Sequence, residues 1–143
     1  MNRRGMLFAM GAAAVSATAL PGFSQEMPHH HMMGGAKNQP LADAAAKCSS
    51  AAEVCTSHCV EMLAGGDKSM APCAASSREV AVVCDGLRAL AAQNSAHLAS
   101  YAKVATEVCK SCQAECQKHA QHAACKSCAE ACAACITECE KMA

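Results

Sequence analysis

Five cysteines near the C-terminus, Cys125, Cys128, Cys132, Cys135 and Cys139, follow one another at steps of three and four residues. That rhythm sets all five thiols on one face of one α-helix, along about 20 Å of its axis. In a helical bundle these are the positions where Leu and Ile meet the core. Sulfur stands in their place, and so much inward-facing sulfur needs a chemical partner. Cys48, Cys55, Cys59, Cys73, Cys84, Cys109, Cys112 and Cys116 bring the total to thirteen in 143 residues.

Thiols at this density have four uses. Disulfide scaffolds favour exported chains, but neighbouring thiols on a regular helix project in parallel and bridge only with strain. An odd total also leaves one unpaired. Structural zinc wants isolated tetrahedra. The CxxC pairs Cys109/Cys112, Cys125/Cys128 and Cys132/Cys135 make incidental zinc binding credible, but a continuous column exceeds that need. Iron–sulfur clusters meet a similar objection, because their ligands usually come from loops. Thiol redox catalysis requires one low-pKa CxxC, not thirteen cysteines. Cu(I) is soft and prefers thiolate and thioether ligands. It accepts two-coordination, which thiols spaced i, i+3 or i, i+4 supply from one helix. The CxxxC pairs are Cys55/Cys59, Cys112/Cys116, Cys128/Cys132 and Cys135/Cys139. With bridging thiolates, the expected ratio is near one copper per cysteine. Each Cu⁺ then cancels one thiolate charge and removes the penalty of burying many anions.

The elements that must position these thiols are helices. Pro40 opens the first, which runs to Gly65-Gly66. A second begins around Ser69 to Pro72 and fades near Asn94. Ser95 is a candidate N-cap for a third, ending near Ala120. The fourth spans about His122 to Met142. Short connections make neighbours antiparallel, so the expected fold is all-α: an up-down-up-down four-helix bundle with a cysteine-lined core. Phasing each helix puts every cysteine on an inward stripe, beside Leu41 and Met62, Val80 and Leu87, Leu98 and Tyr101. Aromatics are 2% of residues and Leu and Ile are few, so the metal-free bundle buries little apolar area.

The two ends of this bundle differ. His58, Met62, Met70, Cys73, His119 and His122 gather at the end with the first and third turns. Leu41, Leu87, Leu90, Leu98 and Tyr101 gather at the other. One end reads as a sulfur-rich mouth and the other as an apolar plug. Taken singly, His97 and His122 read as solvated surface residues.

Upstream, residues 1–24 read as a twin-arginine signal peptide, with Arg3-Arg4 before an apolar run that ends at Leu20-Pro21-Gly22. That run is short for a membrane span, and no span is expected in the mature chain. Folded export to a periplasm or an internal-membrane lumen would pack the thiols before they meet an oxidising compartment. Residues 25–39, with His29-His30-His31 and Met32-Met33, read as a flexible linker with weak metal affinity. Residues 40–143 form the bundle. Zero net charge and no basic stripe give no reason to expect nucleic acid.

The twin-arginine leader, Cys55-x-x-x-Cys59, Cys109-x-x-Cys112-x-x-x-Cys116 and the Cys125 to Cys139 series together resemble the bacterial copper storage proteins of methane-oxidising bacteria, exported type. The resemblance covers nearly the whole chain. It implies a homotetramer of bundles, each storing many Cu(I) ions without enzymatic activity, and delivery to a copper-dependent methane oxygenase. It further implies that His58, Met62 and Met70 bind copper at the open end. The alternatives are a thiol-rich exported structural or redox protein, and a metal-detoxification sink.

Overall fold

The computed structural model describes residues 37–142. The leader expected over residues 1–24 and nearly all of the linker, His29-His30-His31 included, lie outside the described residues.

Four α-helices account for almost all of this span: α1 (Gln39–Ala64), α2 (Ala71–Ala92), α3 (Leu98–Gln117) and α4 (Ala123–Glu140). A 3₁₀ turn, Lys68–Met70, leads into α2. Each helix packs on its neighbours around a square: α1 on α2 and α4, and α3 on α2 and α4. This is the antiparallel bundle that the short connections predict. No described helix is long and apolar enough to cross a membrane.

Local chemistry explains where the helices start and stop. Pro40 occupies the first turn of α1, where its missing N–H costs nothing. At the other end Gly66 adopts φ 97°, the left-handed conformation that glycine tolerates. Gly66 N–H donates to Leu63 O and Asp67 N–H to Met62 O, each at 3.0 Å. These paired bonds close α1 in a Schellman motif. The same motif closes α2, with Asn94 at φ 50° in the glycine position. Asn94 N–H donates to Ala91 O, and Ser95 N–H to Leu90 O at 3.0 Å.

Two boundaries differ from the sequence expectation. Helix α3 opens at Leu98, not at Ser95, because Ser95 builds the turn before it. The Ser95 hydroxyl accepts from His97 N–H at 3.2 Å, and its carbonyl accepts from Leu98 N–H. Helix α3 also ends at Gln117, since Lys118 to Gln121 form turns that reverse the chain into α4.

The core is small-residue and sulfur-rich. Beyond cysteine it holds Leu41, Val80, Leu87, Leu98 and Met70, with alanines such as Ala45, Ala52, Ala91 and Ala105 filling the rest. Val54, Val60, Val82 and Val104 point outward, so the bundle buries even less apolar surface than its composition suggests. Small side chains let α1 and α2 approach closely, and buried hydroxyls stitch that seam. Ser77 and Thr56 hydroxyls pair at 2.8 Å, and Ser49 donates to Asp85 at 3.0 Å and to Ala81 O at 3.2 Å.

Candidate metal centre

Heptad-like spacing on four helices turns the cysteines toward one axis, and the structure brings all of them there. Twelve have no exposed surface and Cys139 has 3%. All thirteen are free thiols.

The sulfurs form a connected chain from one end of the bundle to the other. Nearest the α1–α2 turn, Cys55, Cys59, Cys73 and Cys125 lie mutually within 4.8 Å. Cys55 also joins Cys116 and Cys128 in a second set, and Cys128 joins Cys112 and Cys132 in a third. Cys132 Sγ then stands 3.7 Å from Cys48 Sγ. Cys48 belongs with Cys84, Cys109 and Cys135 to the deepest set. Cys139 follows Cys135 one turn further along α4. Individual contacts are close: Cys73 to Cys116 is 3.6 Å, Cys55 to Cys125 3.8 Å and Cys112 to Cys128 3.8 Å.

These separations suit metal better than disulfide. An S–S bond needs sulfurs at about 2.05 Å. A metal–thiolate bond of about 2.3 Å puts two thiolates sharing one ion at most about 4.6 Å apart. The observed spacing therefore accepts bridging ions with little movement of the helices.

Protonation follows from burial and from the thiol network. Burial pushes Cys125 up from the ordinary 9.0 to about 12. It raises Cys59 as well, reinforced by the neighbouring Cys73. Cys84, beside Cys109 and Cys135, and Cys116, beside Cys112 and Cys128, are held protonated by those neighbouring thiols. A minority move the other way. Cys109, facing Cys132, falls to about 5, and Cys112, facing Cys116, is also lowered. Most of the column is therefore neutral thiol until a cation arrives.

The polar residues expected at the mouth do gather at one end. His58 and Met62 are half-buried and Met70 is fully buried. His58 belongs to none of the sulfur sets. Its Nε2 is buried without a hydrogen-bond partner, the one such side-chain nitrogen or oxygen among the described residues. Leaving such a group unpaired costs about 1–3 kcal/mol. His122 corrects its sequence reading as a solvated residue. It is half-buried, with its ring centroid 4.8 Å from that of His58 at 49°. The turn after α3 folds His122 back over α1, a long-range contact that helical phasing does not encode. His119 is half-buried nearby, and Asp67 is held below the usual carboxylate range chiefly by the Ser69 hydroxyl and N–H that donate to it. His97 is exposed, as expected. Sequence reasoning also missed buried Ser49 and Ser77, which serine's usual preference for the surface conceals.

A model of the copper storage protein family matches residues 35–143. The chain belongs to that family. Among solved structures, apo copper storage protein 3 from Bacillus subtilis superposes with a TM-score of 0.65 at 27% identity, over 73% of this chain and 97% of that one. The Cu(I)-bound copper storage protein BsCsp3 superposes with a TM-score of 0.66 at 26% identity, over 74% and 97%. No curated protein sequence matches the chain. The family membership accounts for the column of thiols, and the shared fold accounts for its confinement within one bundle.

Proposed function

We propose that this copper storage family member holds many Cu(I) ions inside its bundle, about one per cysteine, and acts as a store without catalysing a reaction. The observation that carries this reading is the unbroken chain of thirteen buried cysteines, none of them joined in a disulfide. A catalytic or redox role uses one or two accessible thiols, and a structural zinc site uses four. Only a multinuclear soft-metal core uses every sulfur in the column.

In this reading all thirteen cysteines are ligands, from Cys48 to Cys139, and His58, Met62 and Met70 guide copper at the open end. The protein is a homotetramer that supplies copper enzymes such as a methane oxygenase. The paired Arg3-Arg4 and the apolar run to Leu20 support export of the folded chain by the twin-arginine route, to a periplasm or an internal-membrane lumen. Residues 25–39 tether the bundle, 40–143, to the leader.

The test is an anaerobic Cu(I) titration of the reduced protein against a competing chromogenic chelator, with thiols counted in parallel. Uptake of about ten or more ions per chain, with thiols protected in step, is expected from one ion per bridging thiolate. Saturation at one or two ions would point to a metallochaperone, and native disulfides to a thiol-rich redox protein.

A further inference from the structure

We infer that His122 works with His58 as a two-imidazole reception site, through which Cu(I) passes before it reaches the thiols. This rests on the storage reading above and adds to it a residue and a nitrogen-donor step.

Three observations meet at this point. The two rings approach to 4.8 Å between centroids, tilted at 49°, although 64 residues of chain separate His58 from His122. His58 Nε2 is removed from solvent and has no donor or acceptor to satisfy it. Each histidine also adjoins a thiol of the same outermost set: His58 precedes Cys59, and His122 stands three residues before Cys125. A buried imidazole nitrogen with no partner is an unsatisfied ligand atom, and imidazole is a good donor for copper. Nitrogen donors suit a transfer site for Cu(I). They hold this soft ion less firmly than thiolates do, so it moves downhill onto Cys59 and Cys125, each thiol releasing its proton to solvent as the Cu–S bond replaces the Cu–N bond. The carboxylate of Asp67, in the turn after α1, is held ionised chiefly by the Ser69 hydroxyl and N–H that donate to it, and it makes the mouth favourable to a cation.

Simple ring packing predicts a different result, and His122→Phe separates the two. Phenylalanine keeps the ring-on-ring contact and removes both nitrogens. Stopped-flow uptake of Cu(I) from a weak chelator should slow on the order of ten-fold in His122→Phe, with final capacity unchanged. His58→Phe should slow uptake similarly, and the double variant no further than either alone. In the unsubstituted protein, the imidazole ¹⁵N resonances of both histidines should shift together on the first equivalent of Cu(I). Uptake by His122→Phe at the unsubstituted rate, additive slowing in the double variant, or a shift of His58 alone would each overturn the pair. A low final capacity with both rings still responding would instead sink the storage reading and leave the reception site standing.

Discussion

Cys48 and Cys132 place their sulfurs 3.7 Å apart across the interface of α1 and α4, from positions 84 residues distant in the chain. Cys132 closes the third sulfur set and touches Cys48 of the deepest one. Cys132 is thus the joint between the upper and lower halves of the column, since it also faces Cys109 of the deepest set.

Substituting Cys132 by Ala should remove one or two Cu(I) ions from the total and leave the upper sets filling normally. The metal-free protein should lose about 1 kcal/mol, the scale of one buried methylene. Cys132→Ser should be the less stable of the two, because its hydroxyl sits among poor acceptors in a fully buried position. Titration and chemical denaturation of both variants check this. Equal stability of the two would argue that water reaches Cys132.

Stripping copper should cost the protein much of its thermal stability. The metal-free core has few large apolar side chains, while each filled site bridges sulfurs from different helices. A site held at 100-fold above its dissociation constant contributes about 2.7 kcal/mol by mass action. Melting curves at increasing copper content should move steadily upward. A melting temperature insensitive to copper would mean that alanine packing alone carries the fold.

Alkali should weaken the metal-free bundle. Cys125 is raised from 9.0 to about 12 by burial. A group whose folded value is raised stabilises the protein fully below its unfolded value, and that contribution fades as pH climbs toward the folded one. The loss attributable to Cys125 therefore falls between about pH 9 and about pH 12. Urea midpoints of the reduced protein should decline across that window. Copper uptake should release protons and weaken as pH falls, since Cu⁺ displaces them from thiols that burial holds neutral. A flat urea midpoint above pH 9 would show that Cys125 is solvated.

Gly86 on α2 lies against the Tyr101 side chain of α3. A Cβ there would run into the Tyr101 hydroxyl and lie 3.0 Å from the ring carbon that bears it. Replacing a helical glycine by alanine ordinarily gains about 1 kcal/mol. Here the clash should cancel that gain or reverse it. Removing the hydroxyl with Tyr101→Phe should restore part of it in the double variant. A melting temperature raised by Gly86→Ala alone would show that Tyr101 swings aside freely.

Much of this molecule is written in local pattern. Steps of three and four residues decide both that the chain is helical and which face carries sulfur, so the inward phase of Cys125 to Cys139 needs no tertiary information. Pro40 and Gly66 bound α1 for the same reason: their backbone preferences act within one turn. Ser95 misled because one serine can cap a helix or build the turn before it, and the chain's path into α3 selects the second.

The tertiary structure alone decided which sulfurs meet. Spacing along α4 cannot say that Cys132 faces Cys48, or that Cys55 is shared between two sets. Those contacts depend on the axial stagger of whole helices, which side-chain periodicity leaves free. The same holds for His122. Its residue type and position read as a surface histidine, and only the closure of the turn after α3 sets its ring against His58. The sequence by itself determined a helical bundle with sulfur at its axis, because periodicity is a property of each helix. The order in which the sulfurs connect, and the histidine pair at their open end, arise from the relative placement of helices and are fixed only when they pack.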